Sequence, residues 1–571
     1  MKHKLFSRGL LMASLLLATS CSDFLTEDPK GKLTPDNFYS NQDEVNLAVN
    51  ALYAKVQAYQ ANSNSLIPMC QGDDVTSTTG SNKAAYLSAD AYETPTDQKG
   101  LEWAWKRMYH IIFVANDIID KTGKADISEE ALNEALGQAH YWRAYSYFTL
   151  VRLFGPLPMP LHNGAENPNN MTLSSVEDIY KQIVTDLTTA EGYNLPALYS
   201  GSPKSIENQN VYVSAQTVKA TMAAVYMSMA GYPMNQTSYY AEAAKKAKEV
   251  IDGVKAGTYK QELLQDWNQI FSYGNNHHAE TLLGIDFNTT TGGWNDWDSQ
   301  FSSCHQLAGL GGWGDFIPER RYWKNYPEGP RKDAMFAKQL RTSNGVLVDW
   351  WATTDGNKYN GLSGENANYV VSDYRPMYVT FTVNDGPAAA PYDYQKPFWG
   401  GMCINKRHQL IRYSEVLLWY AESAARSGAA DLADAKEALK EVRKRAYADQ
   451  GKVNEVDGKS ADQLAEAAYT EHGYEVAGYV HAMVTRRSDQ FRMNRLKENY
   501  DYRTGAQDEV LVPKGTLTHS MDKDGKAFTY TLKEDVVLKE NMEITAPWND
   551  VTSIYHNYPP KEVEKNPNLK R

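Results

Sequence analysis

The chain has 571 residues, 42% of them hydrophobic and 22% charged, enough to bury a core in one large domain or several small ones. Its net charge of −12 excludes nucleic acid as a partner, because phosphate recognition needs a basic footprint. Four cysteines, Cys21, Cys70, Cys304 and Cys403, are too few for a disulfide scaffold.

The first element reads as an export signal. Lys2, Lys4 and Arg8 precede a short apolar run from Leu10 to Ala18, and Ala18-Thr19-Ser20-Cys21 closes it with small residues and a cysteine. This layout predicts a cleaved leader over residues 1–20, since the run is too short to span a bilayer. The ending resembles the lipobox of bacterial lipoproteins, which predicts acylation of Cys21 and a membrane anchor. An ordinary leader with an incidental cysteine is the alternative. Residues 21–40, with Pro29, Gly31 and Pro35, read as a polar tether. No later stretch is long and apolar enough to be a transmembrane helix.

Helical patterns follow near 41–60, 101–121, 129–154, 174–191, 214–231, 238–253, 408–428 and 431–447. Ala144, Tyr147, Val151 and Phe154 recur at helical spacing, as do Leu410, Tyr413, Leu417, Tyr420 and Ala424. Gly155-Pro156 and Gly428 are stop signals, and Ser174 with Glu177 reads as a capping box. Eight helices in sequential pairs predict stacked helical hairpins with a concave face, occupying 41–284 and 405–497. The strict 34-residue signature of one repeat class is missing, so periodicity alone leaves the repeat array open.

Two regions break the pattern. Residues 498–571 carry turn signals and a hairpin, in which Thr516-Leu517-Thr518 and Phe528-Thr529-Tyr530 flank Asp524-Gly525. Residues 285–404 are rich in Gly, Asn, Asp, Trp and Pro. A loop that long is functional or disordered, and its aromatic content speaks against disorder. Gly292-Gly293-Trp294-Asn295-Asp296-Trp297-Asp298 interleaves indole plates with polar residues on a glycine-rich loop. Such plates pack on the C–H faces of sugar rings while polar groups bond the hydroxyls. Gly311-Gly312-Trp313-Gly314-Asp315 repeats the composition, and Trp350-Trp351 follows. The binding candidates are therefore Trp294, Trp297, Trp313, Trp350 and Trp351, with Asn295 and Asp296 at the edges. The competing reading is that each tryptophan pins its loop to the helices, which suits Trp323 and Trp399 near prolines.

Catalysis and metal binding are the rivals. Glu415 and Glu422 share a helix face about 10.5 Å apart along the axis, outside the roughly 5–9.5 Å used by glycosidase carboxylates. Arg412 and Glu415 are expected instead to brace the helix in a packed polar network. There is no hydrolase elbow, zincin motif or phosphate loop. Adjacent His277 and His278 cannot both face one site on regular structure. Asp522-Lys523-Asp524-Gly525 opens like a calcium loop, but its glycine is two positions early and no glutamate closes it, so a turn is expected. Asp73 and Asp74, after Gly72, are the residues that could hold a cation such as structural calcium; a structural role is favoured. No cofactor is expected.

Several stretches together resemble the SusD/RagB-like family of outer-membrane nutrient-binding lipoproteins of Bacteroidetes. They are Cys21-Ser22-Asp23-Phe24-Leu25 with Leu33-Thr34-Pro35-Asp36-Asn37-Phe38-Tyr39, Trp105-Lys106-Arg107-Met108-Tyr109 with Ala115-Asn116, and Tyr141-Trp142-Arg143-Ala144-Tyr145 through Phe154-Gly155-Pro156-Leu157-Pro158. Ile411-Arg412-Tyr413-Ser414-Glu415-Val416-Leu417-Leu418, Val442-Arg443-Lys444-Arg445-Ala446 and Pro559-Pro560-Lys561-Glu562 continue the series. The order and spacing carry the likeness, which runs over almost the whole chain. One region departs from the family pattern: Glu471-His472-Gly473-Tyr474-Glu475, then Arg486-Arg487-Ser488-Asp489. The resemblance implies a mainly α fold, a tetratricopeptide-like helix-pair scaffold with long loop-rich insertions and a small β-hairpin. It further implies a non-catalytic, lipid-anchored protein of the outer-membrane surface that captures an oligosaccharide and delivers it to a SusC-like TonB-dependent transporter. A peptide-capturing lid and a helical protein–protein adaptor are the alternatives.

Overall fold

A computed structural model describes residues 38–77, 84–93, 99–165, 167–272, 274–288, 316–336, 339–341, 347–349, 353–354, 358–359, 378, 380, 405–505, 510–521, 526–531, 535–538 and 544–570. The scaffold is built from α1 (Gln42–Gln60), α2 (Lys99–Lys121), α3 (Glu129–Phe154), α4 (Val176–Gly192), α5 (Ala215–Ala230), α6 (Tyr239–Lys255), α7 (Tyr413–Arg426) and α8 (Ala433–Ala446). Three further helices follow: α9 (Ala461–Glu475), α10 (Arg486–Arg492) and α11 (Leu496–Thr504). Consecutive helices pack on one another, α1 on α2, α3 on α4, α5 on α6 and α7 on α8, and α7 also packs on α6 and α9. The fold is mainly helical, as the spacing of apolar residues predicts.

Local chemistry explains the helix ends. Asn41 caps α1 by accepting the Glu44 N–H at 3.1 Å. The cap of α4 is Ser175, which accepts the Asp178 N–H, and not the expected Ser174. The main chain of Ser174 is already taken by a bridge to Leu157. Gly155 ends α3 at φ 68°, a conformation that suits glycine. The second half of α3, from Tyr141 to Phe154, is buried on every face, so the stripe read from Ala144, Tyr147, Val151 and Phe154 understates how central this helix is.

The expected helix over 408–428 is two elements. His408–Arg412 is a strand, β4, and α7 begins only at Tyr413. β4 pairs antiparallel with β2 (Thr281–Ile285), His408 opposite Ile285 and Arg412 opposite Thr281. All five residues of each strand are buried, including His408, Gln409 and Arg412, so the short run shows no alternation that would tell strand from helix. Two smaller pairings join more of the chain. β1 (Val75–Ser77) pairs with β3 (Phe316–Pro318), and β5 (Leu517–Met521) pairs with β6 (Ala527–Thr531) in the expected hairpin. Met521 also pairs with Leu347, which joins the hairpin to Gln339–Arg341 and Leu347–Asp349 in a four-stranded sheet.

Charge is buried where α8, α9 and β4 meet. Arg331 bonds Glu475 at 2.7 Å and Glu471 at 2.6 Å. Arg412 reaches Glu280 and Glu475, Arg443 reaches Glu471 at 2.7 Å, and Arg445 reaches Glu280 and Glu475. Burial alone would raise the Glu475 carboxyl, but Arg445, Arg331 and Arg412 outweigh it and hold the group down at about 2. Beside this cluster His472 lies between Asp489 and Glu415, with Asp489 also held by Arg492. Burial works against a charged imidazole, but the two carboxylates win and lift it to about 9.

Arg445 is fully buried and spans two carboxylates. Arg445→Met should leave Glu280 under-compensated and cost about 3–5 kcal/mol, read as a lower midpoint in urea denaturation.

Candidate functional site

The segment between β2 and β4 starts and ends at one hydrogen-bonded pair of strands, so its two ends are held side by side on the scaffold. Five further contacts fasten it. β3 pairs with β1, with Val75 opposite Pro318. The Tyr378 hydroxyl donates to the Asp74 carbonyl at 2.8 Å, and the Glu319 N–H donates to the same oxygen at 3.3 Å. Arg503, in α11, donates to Glu319 at 2.7 Å and also pairs with Asp90. Arg331 plugs into the buried glutamates of α9. The rings of Tyr322, Tyr326, Phe336 and Tyr378 of the segment and Tyr474 of α9 pack in a chain of tilted and edge-on contacts.

Asp74 belongs to this fastening, and Asp73 lies beside it. Arg486 bonds both oxygens of Asp73, at 2.7 and 2.9 Å, and keeps its carboxyl low despite burial. The Asp74 carboxylate accepts the Gly478 N–H at 2.6 Å. Gly72 makes room for it, since a Cβ there would collide with the Asp74 Oδ1, and Gly478, at φ +66°, makes room for the Tyr378 ring. Burial, then the charge of Asp73, push the Asp74 carboxyl up to about 7. The Asp74 main chain thus holds the segment, while the Asp73 carboxylate is taken by Arg486. Among the described residues no three His, Cys, Asp or Glu side chains converge on a metal site.

The other expected site residues divide cleanly. Trp294, Asn295, Asp296, Trp297, Trp313, Trp350 and Trp351 lie outside the described residues, as do Cys21, Trp399, Cys304 and Cys403. Trp323 is half-buried with the Lys332 ammonium 4.5 Å above its ring, in keeping with a packing role. Trp105, Trp142, Trp267 and Trp419 are core residues. Cys70 is a free, buried thiol, pushed up by burial. His277 bonds Asp286 at 2.9 Å while His278 bonds the Ile270 carbonyl, so the adjacent pair diverges.

Glu415 and Glu422 are both about 1% exposed and both fully engaged. Glu415 accepts the Arg412 N–H at 2.8 Å at the start of α7 and contacts His472. Glu422 takes two bonds from Arg492, at 2.8 and 2.7 Å, and one from Arg426. The Arg412–Glu415 bracing is the one the sequence suggests, but the Arg412 side chain goes elsewhere, to Glu280 and Glu475. The residues that sequence reasoning missed are the arginines Arg331 and Arg503, which clamp the segment, and Arg486, which holds Asp73. Their partners lie 140 or more residues away in the chain, and no local spacing announces them.

Comparison with known proteins gives a consistent picture. Residues 23–227 match a SusD-like family model described as starch-binding and associating with the outer membrane, and residues 234–571 match the model of the SusD family. A SusD-like protein of Bacteroides ovatus is 23% identical over all of this chain and 97% of its own length. Among solved structures, the surface glycan-binding protein A of Bacteroides uniformis superposes with a TM-score of 0.63 at 18% identity, over 92% of this chain and 98% of that one. A structure determined with a xylogluco-oligosaccharide gives 0.65 at 18% identity, with the same coverage.

The ionised form of Asp74 is costly in the folded protein and cheap in the unfolded chain, whose aspartates lose their proton near 3.9. Folding therefore takes up a proton between about pH 4 and 7, and stability falls across that window as pH rises. Asp74→Asn keeps an acceptor for Gly478 without the charge. It should flatten the fall and exceed wild type by on the order of 1–4 kcal/mol above about pH 7, measured by urea denaturation across the window.

Proposed function

Because the chain belongs to the SusD/RagB family, we propose that it is a cell-surface lipoprotein that captures an oligosaccharide and delivers it to a SusC-like TonB-dependent transporter of the outer membrane. The family is one of binding proteins, not enzymes, and the carboxylates that could have served hydrolysis here are spent on buried arginines and a buried histidine. Outer-membrane association is the family's described setting. The reading is carried by one observation: a long segment rich in Gly, Trp, Asn and Asp is fastened at its ends and at intervals onto a rigid helical scaffold. Loops held by a rigid scaffold are where binding residues concentrate. The relatives with glycan-related descriptions lend the ligand class.

Within that segment Trp294, Trp297 and Trp313 are the stacking plates, with Asn295 and Asp296 bonding hydroxyls, and Trp350 and Trp351 add further aromatic surface. Glycine neighbours let a ligand approach the backbone closely. Each stacked ring is worth about 1 kcal/mol or more on the scale of aromatic contacts. Replacing Trp294, Trp297 and Trp313 together by Ala should weaken retention on the best glycan in affinity gels by at least about tenfold and leave the thermal midpoint unchanged. Unchanged retention would move the site elsewhere, and binding of peptides with no glycan retarded would make the protein a peptide-capturing lid.

Cys21 carries the anchor in this reading. Cys21→Ala should move the protein from the membrane fraction to the soluble fraction, checked by fractionation after a high-salt wash; persistence in the membrane would overturn lipidation.

A further inference from the structure

Two buried arginines stand apart from the ion pairs of the scaffold. Arg152, in the last turn of α3, and Arg487, in the first turn of α10, are 3% and 1% exposed. Arg331, Arg412, Arg443, Arg445, Arg492 and Arg503, buried alike, each meet a carboxylate. Arg152 and Arg487 meet none among the described residues. Arg152 donates from Nε to the Phe148 carbonyl at 2.9 Å and from Nη2 to the Met483 carbonyl at 3.0 Å, and its guanidinium lies 3.7 Å over the Phe148 ring. Arg487 donates from Nε to the Gln71 Oε1 and from Nη2 to the Ile554 carbonyl, both at 2.9 Å. In each guanidinium the remaining nitrogen, Nη1, has no hydrogen-bond partner among the described residues.

Both side chains belong to one junction, where three stretches of chain are tied in a closed ring of hydrogen bonds. The end of α3 reaches the start of α10 through Arg152 and Met483, which lies just before the Thr485 cap of the helix that bears Arg487. Helix α10 reaches the stretch at 554–556 through Arg487 and the Ile554 carbonyl. That stretch returns to α3 through the His556 N–H, which donates at 2.8 Å to the carbonyl of Leu153, the neighbour of Arg152. A fourth stretch lies along the ring: the His556 Nε2 bonds the Pro68 carbonyl, and Gln71 accepts from Arg487.

Two cations are therefore held out of water by neutral oxygens and an aromatic ring. Buried charges in folded proteins are met by a counter-charge, and a guanidinium does not escape that need by giving up its proton near neutral pH. Burial lowers both groups, and the charge of Arg152 lowers Arg487 further, yet Arg487 at about 10 is still a cation at neutral pH. The carboxylate nearest to Arg487 in the chain is already spent: Asp489 acts on Arg152 only through space, because its oxygens are bonded to His472 and Arg492. The Cys70 thiol, beside Gln71, is pushed up by burial and stays neutral.

We propose that a small monovalent anion of the chloride class binds at this junction, between the Nη1 groups of Arg152 and Arg487. It receives a charge-assisted N–H bond from each guanidinium and supplies the negative charge that the surrounding side chains do not. The depth of both arginines selects an ion that sheds its water and fits among side chains, a halide and not sulfate or a carboxylate ligand. Bound there, the ion joins α3, α10 and the stretch at 554–556 next to Arg486, which holds Asp73. The site requires neither the oligosaccharide nor the lipid on Cys21.

The full-length protein tests this without any variant. Refolded from urea with bromide in place of chloride and then crystallised, it should show an anomalous scattering peak between Arg152 and Arg487. At fixed ionic strength, replacing gluconate by chloride should raise the urea midpoint until the site saturates, since an ion bound only by the folded state stabilises it by mass action. Arg487→Met should abolish both the chloride-dependent rise and the bromide peak, while Lys248→Glu on α6 should keep both. A junction without bromide, a midpoint that is the same in gluconate and chloride, or a chloride-dependent rise that Arg487→Met retains would each overturn the proposal. If Arg487→Met fails to fold, the bromide map and the chloride series on the unaltered protein decide it.

Discussion

The architecture depends on one constraint: the carboxylates of Glu280, Glu471 and Glu475 are out of water and must be met by guanidinium groups. Arg331, Arg412, Arg443 and Arg445 meet them from separate stretches of chain. A buried ion cluster gains little over an apolar core of the same volume, but removing one member leaves a stranded charge. Its effect is therefore specificity more than strength. The ion pairs tie strand β4, helices α8 and α9 and the segment that bears Arg331 into one cluster. Tyr447 completes it by donating to Glu471 at 2.7 Å.

This constraint sits in the very stretch that departs from the family's usual pattern. Glu471, His472 and Glu475 lie on the buried face of α9; from α10, Asp489 pairs with His472 and is held in turn by Arg492, while Arg486 pairs with Asp73. Arg487 is different. It is buried without a carboxylate among its bonds, held by Gln71 and the Ile554 carbonyl, and burial lowers it to about 10.

Much of the scaffold is legible in the sequence because helices advertise themselves through local spacing. α1 to α6 and α8 coincide with the expected segments to within a few residues. The failures are equally local. At Ser174 and Ser175 two adjacent serines could each cap, and only the bridge to Leu157 decides between them. At 408–412 the run His-Gln-Leu-Ile-Arg has no period that separates strand from helix, and its partner at 281–285 is more than a hundred residues away. The aromatic segment is conspicuous by composition, but what fastens it, Arg331 on Glu471 or Tyr378 on Asp74, is a matter of long-range pairing that spacing cannot reveal.

The stem made by β2 and β4 has a bearing on how such proteins diversify. Paired strands hold their partners about 5 Å apart, so whatever lies between them is a closed excursion from the scaffold. Lengthening a closed loop costs free energy only logarithmically, about 0.6 kcal/mol per doubling. The chain between Ile285 and His408 can therefore be exchanged, extended or trimmed across related genes while the helix pairs stay as they are. Only a few anchor points need to survive, among them the strand at Phe316–Pro318 and the guanidinium of Arg331. Variation in what such proteins hold could then be inherited as a cassette, with the frame copied unchanged.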